Sequence, residues 1–220
     1  MVGIVTFDDD MDVMEDEATE DMEMMAAVSP SDKSYARSGV WDLVRRRIPW
    51  LLLLMLSATF TGLIITHFEN ALAACTILTA FIPMLMGTGG NSGAQASVAV
   101  IRSLSLGEVA LSDLPWIIWK EIRVAVLCGA GLAVCNFVKM MLVDRLLFQN
   151  PEVTVQVALV VCLTLVFVVL MAKAIGCTLP LAAKKIGLDP AVMASPFITT
   201  IVDALSLLIY FAVASALLRL

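Results

Sequence analysis

Five stretches of this chain are each long and apolar enough to cross the roughly 30 Å hydrocarbon core of a bilayer as helices. They run Ile48–His67, Ala71–Val100, Ile117–Val143, Val153–Cys177 and Ala191–Leu218. A single soluble core cannot use runs of that length. The composition agrees: 60% of the 220 residues are hydrophobic and 15% charged, against about 45–50% and about 25% for soluble domains. In lipid each segment must satisfy its own backbone hydrogen bonds, so an all-α integral membrane protein with five transmembrane helices per chain is expected. No cleavable signal peptide is expected, because the first apolar run begins only near Ile48.

Charge divides the chain in two. Of the twenty acidic residues, eleven precede Val40, whereas from Val40 onward Lys and Arg outnumber Asp and Glu by twelve to nine. Residues 1–38 therefore read as an acidic cytosolic segment and 39–220 as the membrane domain. Arg45, Arg46 and Arg47 precede the first span, Arg102, Lys120 and Arg123 flank the link between spans two and three, and Lys184 and Lys185 lie between spans four and five. The positive-inside rule then predicts a cytoplasmic N-terminus and an external C-terminus in the cell (plasma or inner) membrane. Trp41, Trp50, Trp116 and Trp119 fall at the predicted cytoplasmic ends, where an aromatic belt belongs.

Two constellations carry the chemistry. In span two, Pro83 is followed by Gly87-Thr88-Gly89-Gly90-Asn91-Ser92-Gly93-Ala94-Gln95. Such a polar, glycine-rich stretch is expected to break the helix, which lipid tolerates only where protein or a wet cavity covers the backbone. Asn91 and Gln95 share a face, and their amide oxygens suit a hard cation or its hydration water. The competing reading is close helix packing through small residues. In span five, Asp203 is the only acidic residue deep in an apolar run, at a cost of roughly 2.5–3.5 kcal/mol on insertion scales. Ser195, Thr199, Ser206 and Tyr210 stand with it on one face, a stripe expected to meet water.

Lesser features have blander readings. Glu121 is expected at an interfacial ion pair beside Lys120 or at an inner mouth, and Lys173 is expected to snorkel. The cysteines form no CxxC pair. No nucleophile–base pair or HExxH motif marks an enzyme, and no nucleic-acid partner is expected. Val2–Phe7 reads as a short strand, and the acidic run after it as either a helix or a disordered tail.

These residues resemble the MgtE family of Mg²⁺ channels. The likeness rests on the Pro83 to Gln95 motif, on Gly187-Leu188-Asp189-Pro190-Ala191 with Pro196 and Asp203 after it, and on Glu17-Ala18-Thr19-Glu20-Asp21. It implies a homodimer with the pore on its two-fold axis. Hydrated Mg²⁺, both bound and transported, would be held there by Asp203 with Thr199, Gly90, Asn91 and Gln95. It also implies Mg²⁺ sensing by Asp9, Asp12, Glu17, Glu20, Asp21 and Asp189, and a first segment formed by the end of a CBS domain and a connecting helix. Without the rest of that cytosolic part, closure by Mg²⁺ is expected to be weak. The alternative is an ion-coupled transporter of Mn²⁺, Co²⁺ or Ni²⁺.

Overall fold

The computed structural model describes residues 6–31, 35–193 and 195–218. Those residues are helical throughout, joined by short turns. Seven α-helices follow one another: α1 (Phe7–Met25), α2 (Val40–His67), α3 (Glu69–Ala74), α4 (Ile82–Ser105), α5 (Leu114–Lys139), α6 (Val155–Lys185) and α7 (Ser195–Leu218). Among the described residues, four helical stretches are long and apolar enough to cross a membrane: Val40–His67, Leu111–Leu147, Val155–Lys185 and Pro190–Leu218. The chain is a multi-pass, all-α membrane protein.

Local sequence explains where the helices start and stop. Thr6 caps α1: its hydroxyl accepts from Asp9 N, while the Asp9 carboxylate accepts from the Thr6 backbone N–H at 2.9 Å. That reciprocal pair is a capping box. The acidic run is thus a helix, and Phe7 opens it instead of closing a strand; Val2–Val5 lie outside the described residues. Thr154 caps α6 through Val157 N. The α6 helix ends on Gly187, whose φ is +80°. Leu188 N bonds to Ala183 O at 2.9 Å and Gly187 N to Lys184 O at 3.2 Å, the six-to-one and five-to-two bonds that absorb the last carbonyls of a helix.

The second predicted span differs from expectation. Residues Gly87 to Gly93 lie inside the unbroken α4, and the irregular backbone comes earlier, at Cys75 and the tight 3₁₀ segment Thr76–Phe81. Pro83 sits in the first turn of α4, where its missing N–H costs nothing. The glycines are spent on packing. A Cβ on Gly93 would meet Ile198 Cγ2 at 2.8 Å and the Ala172 carbonyl at 3.1 Å, and one on Gly89 would meet Val168 Cγ1 at 2.6 Å. One on Gly176 of α6 would overlap the Gly93 carbonyl. Backbones this close gain dispersion contacts, which hold helices together where lipid removes the hydrophobic drive.

The α6 helix is the hub: α4 and α5 run along it, and α7 packs on both α4 and α6. One core, built around Leu78, Leu85, Met140, Val161, Tyr210 and Phe211, closes the end where α4 and α6 begin and α7 finishes. The α2 helix stands at the edge, packed on α7 and with no buried residue.

Candidate ion site

Gly90 lets α4 lie against the polar part of α7. A Cβ at Gly90 would meet Thr199 Cγ2 at 3.0 Å and Asp203 Oδ1 at 3.7 Å. Asp203 and Thr199 are half-buried, while Asn91 and Gln95, one and five residues beyond Gly90, are exposed on α4. Pro83, Gly87, Asn91 and Gln95 recur every four residues and are all exposed, so one open stripe runs along α4. Of the predicted ion-site residues, the structure thus brings Gly90, Thr199 and Asp203 together and puts Asn91 and Gln95 on the open side of the same helix. Asp203 has neither a hydrogen bond nor an ion pair among the described residues. An unpaired carboxylate at this depth demands a cation, a proton or water.

Further along the predicted polar stripe on α7, Ser206 and Tyr210 do not face water, and the side chain of Ser195 lies outside the described residues. Ser206 and Tyr210 are wholly buried. Tyr210 Oη donates to the Leu78 carbonyl at 2.9 Å, tying α7 to the 3₁₀ segment before α4. Ser206 Oγ lies 2.9 Å from where a Cβ on Gly89 would stand. Helical periodicity gave all these residues one face, but that face passes from an open surface into a helix contact as α7 rises. The Thr199 hydroxyl turns back to donate to the Pro196 carbonyl at 2.9 Å.

Two further side chains depart from expectation. Lys173 does not snorkel: it is 6% exposed, and its Nζ is 3.4 Å from Oε2 of Glu121 on α5. Lys120 instead lies over the Trp116 ring at 5.1 Å. The partners of the buried pair are 52 residues apart, so neither spacing nor motif could link them.

The predicted sensing residues are gathered only in part. Asp9, Asp12, Glu17, Glu20 and Asp21 are all on α1, and Asp9 is committed to the capping box. Only Asp21 reaches the membrane domain, sharing a hollow of about 130 Å³ with Asp189 and Lys184. Burial, then the charges of Asp189, Glu20 and Glu17, push its carboxyl above the ordinary range. The Asp189 Oδ1 accepts from Ala191 N at 2.8 Å, shaping the turn before α7. No three of His, Cys, Asp and Glu converge as a metal cage among the described residues.

The segment that carries α1 is anchored by groups the sequence did not flag. Glu23 accepts from Ser31 N at 3.1 Å and pairs with Arg46, whose Nε also donates to the Ser29 carbonyl at 2.6 Å. Met24 and Met25 pack on Ile101 and Ala191.

A sequence model of the MgtE family, described as divalent cation transporters, matches residues 82–213, from the start of α4 into α7. The chain is 37% identical over 219 residues to the magnesium transporter MgtE of Thermus thermophilus and 36% identical to that of Bacillus subtilis. The matches take in all of this chain, and 47% and 46% of those two proteins. The chain thus spans about half the length of the curated relatives it matches. That breadth of similarity, with the motif helix inside the matched region, makes the chain a member of the MgtE family that carries its membrane-spanning domain.

Proposed function

We propose that the chain conducts Mg²⁺ across the membrane as a homodimeric channel, with α4 as a fifth crossing beside the four apolar ones. The pore lies on the two-fold axis between the α4 and α7 helices of the two copies. The observation that carries the reading is the Asp203 carboxylate, unpaired at membrane depth beside Gly90, with the exposed amides of Asn91 and Gln95 on the next helix. Mg²⁺ takes oxygen ligands in octahedral geometry and sheds water reluctantly. Two Asp203 carboxylates, one from each copy, hold the hydrated ion through its water shell, and the amides line its path. Carboxylate pairs also concentrate dications over monovalent ions. The relatives' names as magnesium transporters support the choice of ion.

The N-terminus faces the cytoplasm in this reading. The carboxylates of Asp9, Asp12, Glu17, Glu20, Asp21 and Asp189 form a cytosolic sensor, in which Mg²⁺ bridges α1 to the turn before α7 and closes the path. The junction of Asp21 with Asp189 supports that role.

The test is Mg²⁺ flux into liposomes holding the purified chain, beside Asp203→Ala and Asp203→Asn. Flux that is voltage-driven, indifferent to pH and Na⁺ gradients, and lost in both variants is the expected result. Equal flux in all three proteins would make Asp203 structural. Flux that needs a proton or Na⁺ gradient would favour a coupled transporter.

A further inference from the structure

Near the ends that close the core, α2 and α7 are in contact: Phe68, just after α2, stacks on Phe211 with centroids 4.6 Å apart. Beside the second half of α2 and the first half of α7 a crevice with about 350 Å³ of free volume opens between them, lined by Phe60 of α2 and by Phe197, Ile201, Ala204 and Leu205 of α7. Among the described residues its polar side chains are Ser57 and Thr200. Both are turned into their own helices, onto the carbonyls of Leu53 at 2.9 Å and Pro196 at 3.0 Å. The wall is therefore apolar in effect. Leu52, Met55, Leu56 and Leu63 of α2 also stand exposed, an apolar surface suited to hydrocarbon.

Lower on α2 is a second hollow, of about 280 Å³, lined by Tyr35, Arg46, Arg47 and the α1 residues Thr19 and Met22. Glu23 neutralises Arg46 there. Arg47 is exposed and has no ion pair among the described residues, so the hollow keeps a surplus positive charge. Arg46 and Ser57 are eleven residues apart, close to three whole turns. The two hollows therefore share one face of α2, about 16 Å apart along its axis.

We propose that the two hollows together bind one anionic phospholipid, its phosphate on Arg47 and one acyl chain in the crevice between α2 and α7. The separation supports this, since half of a roughly 30 Å hydrocarbon core is the reach of one acyl chain. The charge supports it too: a guanidinium forks onto phosphate oxygens, and cytoplasmic leaflets are rich in anionic lipid. A bound chain braces the flank of α7 that adjoins, but does not carry, Asp203.

The test uses the full chain in detergent, with phosphatidylglycerol, phosphatidylcholine or soluble glycerol phosphate added, read by native mass spectrometry and thermal unfolding. Phosphatidylglycerol is expected to stay bound and to raise the unfolding temperature. Arg47→Gln weakens it about tenfold, equivalent to about 1.4 kcal/mol, down to the level of phosphatidylcholine. Ala204→Phe, which fills the crevice, expels both lipids. A photo-crosslinking residue in place of Phe60 is expected to label lipid in native membranes, a readout independent of how well Ala204→Phe folds. Equal retention of both lipids by the parent chain would mean an unspecific annulus and overturn the proposal. So would full competition by glycerol phosphate, which would mean a free-anion site, or crosslinking of position 60 to a second copy of the chain.

Discussion

The Nζ of Lys173 on α6 lies 3.4 Å from Oε2 of Glu121 on α5, and both side chains are largely buried. An ion pair in this setting is hardly stabilising against an apolar pair of the same shape, but a single survivor is costly. Lys173→Met is therefore expected to destabilise the protein by about 3–5 kcal/mol, the usual cost of a stranded buried charge. The double variant Lys173→Met with Glu121→Gln recovers most of that loss. Thermal unfolding in detergent of the two single variants and the double checks the cycle. Additive losses would mean that the two groups do not interact.

Glycine positions divide sharply by what surrounds them. Gly176→Ala drives a methyl into the Gly93 carbonyl, which is backbone and cannot swing aside. It is expected to cost at least the roughly 1–3 kcal/mol of an overpacked core. Gly131→Ala on α5 meets nothing within 4 Å, and is expected to be neutral or to stabilise by up to about 1 kcal/mol through helix propensity. Unfolding temperatures of the pair, measured side by side, decide the point.

Much of this fold can be read from the amino acids alone. The apolar runs around α2, α5, α6 and α7 are long enough to announce themselves. Two things were hidden. Glycines in lipid can mean either a broken helix or a close one, and the pattern from Gly87 to Gly93 is the same for both; only the neighbours, Ile198 and Ala172, decide. Pairing across helices is the other. Lys173 and Glu121, or Glu23 and Arg46, meet because of how helices are arranged, and no local pattern records that. Of the residues proposed to hold the ion, Asp203 stands out in the sequence because its isolation is itself a signal. Ser206 shared its face and was misread, because periodicity gives direction but not what lies in that direction.

Tyr210 donates to the Leu78 carbonyl in a wholly buried setting. Leu78 lies in a 3₁₀ segment at the edge of α4, so Tyr210→Phe leaves its carbonyl without that donor. A loss of about 0.5–1.5 kcal/mol is expected, the net contribution of one such hydrogen bond. Faster amide exchange over Thr76–Phe81, with α5 unchanged, would mark the effect as local.

Asp21 gives a pH dependence to the docking of α1. Its carboxyl is raised by burial first, then by Asp189, Glu20 and Glu17, with Lys184 lining the same hollow. Because the docked form has the higher pKa, docking is favoured by protonation: it is strongest below the unfolded value near 3.8 and weakens as pH rises through the raised one. Lowering the pH from neutral is expected to slow proteolysis between α1 and α2. Asp21→Asn should show the slow rate at all pH values. Cleavage in the parent chain that does not vary with pH would remove Asp21 from the contact.

The α4 helix is absent from the stretches apolar enough to enter lipid unaided, yet its buried face fits α6 and α7 to within a methyl group. Synthesis runs from the N-terminus, so α4 leaves the ribosome before either partner exists. Its packing must then be settled late, when α6 and α7 arrive to clasp it. The helix that carries the Pro83 to Gln95 motif is thereby among the last to be secured. Anything that delays α6 or α7 strands α4 first, which makes this helix the natural point at which cellular quality control would recognise an unfinished copy.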